Sequence, residues 1–285
     1  MPSAESSVPA CPQLAPGLRV VRRGRDHLQV GLYAGRRAVL PRSPVTEQTL
    51  ALVLHRQPVT DEPAAARVLA LLHHHGCLLD AETARASAKA RRRARVAVLG
   101  RLPGADPVAL LEAADVEVAG GWTSGEVGAA GVVLVLSPGE LDRDRLDPLI
   151  RSGTPHVVVR LVDGGAVLGP FVQPDYTACL RCVDAHESVV DPAHVAVTAR
   201  YARATALPRA DGVPDLIDPT LAVLAVAWAV RDVVAHLEGR QPSTWSRTVR
   251  LGPDPTETVV QRWLRHPTCA CSWSPSEHSS GTMET

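Results

Sequence analysis

Four cysteines carry the most specific chemistry in this chain. They stand as two couples, Cys179-Leu180-Arg181-Cys182 and Cys269-Ala270-Cys271, far apart in the sequence. Each follows a turn-forming stretch, Gln173-Pro174-Asp175 for the first and His266-Pro267 for the second. A C-x-x-C and a C-x-C can together supply the four sulfurs of a tetrahedral zinc site. Zinc takes such a closed thiolate set when its role is structural, because a fourth sulfur leaves no position open for water. The ion would tie an internal loop to the C-terminal part of the chain. Its binding energy then counts as folding energy, ~10 kcal/mol or more in small zinc domains. A C-x-x-C ahead of a helix through Asp184 and His186 is also the pattern of a thioredoxin-type redox couple. The tryptophan before the first cysteine and the cis-proline context of that fold are not evident, and a second couple favours metal over redox. His266 reads as a turn residue rather than a ligand.

The chain that must position these sulfurs has 285 residues, room for two domains of ordinary size. It is 45% hydrophobic but only 3% aromatic, so its core has to be built mainly from Leu, Val and Ala. The formal net charge is zero, which gives no whole-chain attraction to nucleic acid or to an anionic membrane. Lys89 is the sole lysine. Residues 1–16 lack the basic start and apolar run of a signal peptide. The longest apolar stretch, residues 221–230, is too short to span a bilayer. Six cysteines, four of them in metal-type spacing, suit a reducing compartment better than a disulfide framework. The expectation is a cytoplasmic protein without a membrane span.

Residues 1–16 are rich in Pro, Ser and Ala and are expected to be disordered. Three short strands are predicted next, at residues 18–22, 28–32 and 38–40, with Gly24-Arg25-Asp26 and Ala34-Gly35 as turns. Ser43-Pro44 and Asp61 with Pro63 then start helices over 45–55 and 64–75. Small strands followed by helices read as a winged-helix-like module over residues 17–81. The second helix carries only Arg67 among basic residues, a poor match for DNA phosphates. A free sheet edge beside an apolar helix suits an extended peptide added as one more strand. His73-His74-His75 with Cys77 could suggest a metal, but histidines in a last helical turn ordinarily complement the helix dipole. Residues 82–94, dense in arginine, read as a solvated helical linker.

At Arg95 the pattern changes. Strands at 96–99, 116–118, 132–136 and 156–161 alternate with helical stretches starting at Asp106-Pro107 and carrying Leu141, Leu146 and Leu149. Such alternation predicts an α/β, Rossmann-like domain over residues 95–273 with a mostly parallel sheet covered on both faces. Residues 166–172 are expected to extend that sheet, and residues 191–214 to form an irregular crossover. Pro219–Leu237 reads as a long helix, apolar nearly all round, buried in the domain or against a second copy. Residues 244–251 and 258–264 form a closing antiparallel pair, and residues 274–285 a loose tail.

The half-Rossmann pattern, Gly169-Pro170-Phe171-Val172, the first cysteine couple, the Ala/Val-rich helix and a terminal His266-Pro267-Thr268-Cys269-Ala270-Cys271 resemble the ThiF, ubiquitin-activating-type family. More closely, over about residues 18–273, the chain resembles the ThiF-like cyclodehydratase component, or leader-peptide-binding protein, of thiazole/oxazole-modified microcin (bacteriocin) biosynthesis. That resemblance implies an N-terminal peptide clamp, a ribosomal precursor peptide as ligand and a YcaO-type partner that performs the ATP-dependent activation. A homodimer through the sheet and the apolar helix is also expected.

In the wider family the resemblance implies adenylation of a C-terminal carboxylate by ATP with magnesium. Gly100, Arg143 and Arg145 are the positions expected to hold the nucleotide, and Arg101 is a further candidate. The chain departs from the pattern at most other points. After Leu99 the glycine turn reads Gly100, Leu102, Ala105, and Leu102-Pro103 keep backbone donors away from phosphates. The second strand ends in Ala119-Gly120-Gly121 without a ribose-binding acid, and the expected acidic motif reads Ser137-Pro138-Gly139-Glu140. Asp142 to Arg145 follow with charges that also fit a solvated helix start. The expectation is a non-catalytic adaptor with no catalytic residue of its own. An adenylating enzyme and a DNA-binding regulator are the alternatives.

Overall fold

The computed structural model describes residues 12–119, 131–207, 218–254 and 256–272. The chain divides into two compact units, Met1–Ala88 and Lys89–Thr285.

The first unit contains β1 (Pro12–Leu14), β2 (Val20–Arg23), β3 (His27–Val30), β4 (Ala38–Pro41), α1 (Pro44–Leu54), α2 (Pro63–His74) and β5 (Leu78–Asp80). Strands β2, β3 and β4 form an antiparallel meander. Alternate residues Leu28, Val30, Ala38 and Leu40 face the helices, where they meet Leu50, Val53, Val68 and Leu72. Ser43 caps α1 as expected, its hydroxyl accepting from Thr46 N at 3.1 Å. At α2 the cap position is Glu62, and Asp61 lies outside it.

Pro12–Leu14 corrects the expectation of disorder through residue 16. They pair antiparallel with β5 and Ala15 N donates to Cys77 O at 2.9 Å, so long-range hydrogen bonds override a composition typical of disorder. Residues 1–11 lie outside the described residues. Cys77 is fully buried in the helix–sheet core, and burial pushes its thiol pKa up. It is a packing residue. Helix α3 (Ala81–Arg93) follows as one continuous helix, opened by Asp80 accepting from Thr83 N at 2.8 Å.

The second unit comprises β6 (Arg95–Leu99), α4 (Pro107–Glu112), β7 (Glu117–Val118), β8 (Val132–Ser137), α5 (Asp147–Arg151), β9 (His156–Val162), β10 (Gly165–Val172), α6 (Leu180–Val190), α7 (His194–Thr205), α8 (Pro219–Leu237), β11 (Arg247–Leu251) and β12 (Thr258–Arg262). Its seven strands lie in the order β12-β11-β10-β9-β8-β6-β7. Strands β7, β6, β8 and β9 run parallel. Strand β10 extends the sheet as expected, and it does so by turning back antiparallel to β9. The reason is a two-residue turn, Asp163-Gly164, with φ of 53° and 71°, the left-handed pair that closes tight hairpins. Strands β11 and β12 complete the antiparallel edge.

Both faces of the sheet are covered. Val132, Leu134, Leu136, Val157, Val159 and Leu161 point to one face and pack against Leu221, Ala225, Ala229 and Val233 of α8. Val133, Val135 and Val158 point to the other and meet Leu146, Leu149 and Leu180. By length and composition α8 could cross a membrane, but this packing and the buried Asp232 make it a core helix. The Asp232 carboxylate accepts from Ser243 N and Thr244 N at 2.7 and 2.8 Å, so its buried charge is satisfied. Residues 194–205, expected to be irregular, form helix α7; residues 208–214 of that crossover lie outside the described residues, as do Gly120, Gly121 and the tail from residue 273.

Candidate functional site

Strand β10 ends at Val172 and runs through a turn held by Thr177, whose hydroxyl accepts from Gln173 N at 2.7 Å. That turn delivers Cys179 to the N-terminus of α6 and Cys182 to its first turn. After β12, Trp263 is pinned by its indole N–H donating to Thr248 Oγ1 at 2.9 Å, and the chain returns past His266 to Cys269 and Cys271. All four cysteines are buried, alongside Val172, Val183 and Trp263.

Their Sγ atoms all lie within 4.8 Å of one another. Cys179 to Cys182 measures 3.8 Å, Cys179 to Cys269 3.7 Å and Cys182 to Cys271 3.3 Å. These gaps exceed a covalent S–S bond of about 2.05 Å, so the cysteines are free thiols. Two of the three match the spacing of about 3.8 Å that follows for sulfurs placed tetrahedrally at ~2.3 Å from one ion, and the Cys182–Cys271 gap is shorter. The shell around them suits thiolates as well. His266 N donates to Cys182 Sγ at 3.3 Å, and Arg265 spans the two ligand segments, donating to Asp175 O ahead of the first couple and to Cys271 O at 2.9 Å. The His266 ring is engaged elsewhere, edge-on to His186 and 2.9 Å from Thr268 Oγ1 through Nδ1. The donor set, its burial and its geometry therefore fit a closed four-sulfur metal centre.

The C-terminal ends of the parallel strands form the second candidate site, where this architecture ordinarily binds ligands. Gly100 follows β6 with φ of 81°, and a Cβ there would sit 2.1 Å from Leu136 O of the neighbouring strand. Close strand packing thus accounts for this glycine. Leu102 is buried in the core beneath α8, and a Cβ on Gly104 would meet the Cβ of Pro219 at 2.7 Å. The turn is closed against the start of α8.

Arg143 lies in a short 3-10 turn after β8 and is not on a solvated face, because three acceptors draw it inward. It donates to Glu140 at 2.5 Å, to Asp184 at 2.8 and 2.9 Å, and to Leu141 O at 2.6 Å. Arg160 of β9, itself buried, donates to both Glu140 oxygens at 2.7 Å. His194 Nε2 stands 3.4 Å from Asp184. Burial alone would raise the Glu140 pKa, but Arg160 and Arg143 outweigh it and hold the carboxyl at about 2. Burial pulls the Arg143 pKa down and the Asp184 and Glu140 carboxylates more than reverse this, while for Arg160 burial prevails over Glu140 and the net shift is downward.

Of the predicted site residues, the structure brings together Cys179, Cys182, Cys269 and Cys271. It separates the other three. Gly100 is spent on strand packing, Arg143 is enclosed in the ion network, and Arg145 is exposed one residue beyond Asp144. Arg101 is exposed too. Sequence reasoning missed the roles of Arg160 and Asp184; an arginine inside the apolar run of β9 was the available signal, because a charge at such a position must be paired.

No family model matches the chain, and no curated protein is significantly similar to it in sequence. Solved structures do match its fold. The E. coli protein MccB, determined with ATP, superposes with a TM-score of 0.60 at 12% identity, over 92% of this chain and 99% of that one. The microcin C7 biosynthetic enzyme MccB in complex with N-formylated MccA gives 0.59 at 12% identity, over 92% and 99%. The heterocyclase TruD gives 0.64 at 17% identity, over 93% of this chain but 43% of its own. At these identities the likeness establishes a shared fold.

Proposed function

We propose that this chain is a zinc-stabilised adaptor with a ThiF-like fold. It binds a ribosomal precursor (leader) peptide and presents it to a YcaO-type cyclodehydratase in the cytoplasm. The observation that carries the non-catalytic half is the Glu140–Arg143–Arg160–Asp184 network. The arginine the fold offers to a nucleotide at the strand ends already has its charge matched by carboxylates of its own chain. A triphosphate would have to displace those carboxylates and desolvate itself in a turn blocked by Leu102. Zinc is the ion in this reading because four buried thiolates are its preferred structural set. The peptide-binding half draws on the winged-helix-like first unit, whose β2 edge is unpaired within its three-stranded sheet. The same fold serves a microcin biosynthetic enzyme and a heterocyclase, which is the setting this reading assigns. A homodimer is part of it, with Val223 and Leu224 on the outer side of α8 at 41% and 44% exposure.

Titration of the purified chain with ATP and magnesium tests the adaptor, with pyrophosphate exchange as the second readout. No exchange by the chain alone is expected. Micromolar ATP binding with exchange would overturn the adaptor and establish the second reading, an ATP-dependent adenylating enzyme. That second reading is favoured by the ATP complex of MccB, which shares the fold across 99% of its length.

A further inference from the structure

The first unit is charged asymmetrically. Between residues 17 and 41 it holds six arginines (Arg19, Arg22, Arg23, Arg25, Arg36 and Arg37) against one acid, Asp26, in a chain that is neutral overall. All six are exposed. The two helices behind the sheet are the opposite: α1 has no Lys or Arg and α2 has only Arg67. Among the sheet and the two helices packed on it, positive charge is therefore concentrated on the β2–β3–β4 meander; the other arginine-rich stretch is helix α3.

The same meander carries an open groove of about 790 Å³ lined by Arg19, Val21, Gln29, Leu32, Tyr33 and Arg36. Val21, Leu32 and Tyr33 are 51%, 70% and 81% exposed, a large apolar display for so small a unit. Register explains the placement. Val20 packs on the core, so Val21 and Arg23 of β2 and their cross-strand partners Gln29 and His27 point to the outer face. Strand β2 is also a sheet edge, with backbone donors and acceptors on its outer side free to take another strand among the described residues. Arg23 is steadied there by donating to Gln29 Oε1 at 2.8 Å.

We infer that the ligand of this groove is an acidic peptide: an extended segment that adds to β2, sets an apolar side chain against Val21, Leu32 and Tyr33, and pairs its carboxylates with Arg19 and Arg36. This rests on the peptide-binding reading above and goes beyond it by fixing the ligand's charge. Duplex DNA is the competing anion. It is disfavoured because the helices that would have to enter a groove carry almost no basic residues, whereas the sheet pairs its arginines with apolar side chains.

Panning a random twelve-residue peptide library on the full chain tests this, alongside the double variant Arg19→Glu/Arg36→Glu, whose exposed positions leave the fold intact. The expected result is enrichment of Asp and Glu over the input in peptides that also carry an apolar residue. In fluorescence anisotropy, replacing those acids by Asn and Gln should weaken binding about tenfold, as should the double variant. Enrichment of neutral or basic peptides would overturn the acidic assignment while leaving a peptide-binding module. No enrichment over a bare support would overturn both. Salt-steep binding of duplex DNA that the double variant abolishes would replace the peptide with nucleic acid.

Discussion

The two clusters of the second unit look alike in one respect and differ in the one that matters. Each draws side chains from remote parts of the chain into a buried place: Cys179 and Cys182 meet Cys269 and Cys271, and Glu140 and Arg143 meet Arg160 and Asp184. In the first, four donors of one kind face one another, and as thiolates they repel unless a cation lies between them. In the second, cations and anions alternate and cancel. Convergence of reactive groups therefore marks a site only where it leaves charge unbalanced. By that measure four thiolates ask for an ion, while the two carboxylates and two guanidiniums balance one another, with Arg160 Nε the donor left without a partner among the described residues.

The largest expected effect breaks the comparison at its first term. Cys182→Ser or Cys271→Ser should lower zinc content from about one ion per chain to near none. It should also cost several kcal/mol, since the ion's binding energy is folding energy of order 10 kcal/mol in small domains. The segment from Trp263 to Cys271 should then become a protease site. Metal content by atomic emission and limited proteolysis read both, and unchanged metal in the two variants removes the centre.

Glu140→Gln addresses the second term. It keeps the shape and removes the shared anion, stranding the buried Arg160 while Arg143 keeps Asp184, at a cost of about 3–5 kcal/mol by urea unfolding. ATP affinity should stay negligible. If the variant instead gains ATP binding, the network is a latch over a live nucleotide site and the contrast between the clusters collapses.

Acid probes the same network without mutation. The folded Glu140 pKa is held at about 2, below its ordinary 4.5, so its contribution is full above pH 4.5 and fades as pH falls toward 2. A shift of that size is worth on the order of 3 kcal/mol. Burial holds His156 at about 4 instead of 6.5, so its neutral form resists protonation that the unfolded chain accepts, and stability falls from pH 6.5 toward 4. Stability should thus decline in two stages on acidification, and the lower stage should be missing in Glu140→Gln.

What was legible follows from range. The four cysteines could be named as one set because each couple is local and only the couples' meeting is remote, and the structure does cluster them. The short, valine-rich apolar runs of β6, β8 and β9, alternating with helical stretches, announced buried parallel strands. The direction of β10 was not read from the sequence, although Asp163-Gly164 is a tight-hairpin signal. Helix α7 was hidden by the prolines on either side, Pro192 and Pro208, which suggested a loop. The β1–β5 pair was not legible: three-residue strands separated by a whole unit have no local signature. Nor was the Arg143–Asp184 pair, because a charge near a helix start looks the same in sequence whether it meets water or a carboxylate 41 residues on.

Arg145→Ala gives the smallest effect and the sharpest control. Arg145 is two residues from Arg143 and was read from the sequence as its equal, yet one is exposed and the other enclosed. An exposed side chain away from caps and buried pairs should change stability by no more than about 0.5 kcal/mol. Arg143→Ala, which leaves Asp184 and Glu140 short of a partner, should cost several times more. The ratio of the two, measured in one urea series, tests whether the strand ends are held together by a satisfied ion network. Comparable losses would place Arg143 at the surface with Arg145, and the network would lose its claim to have replaced a nucleotide.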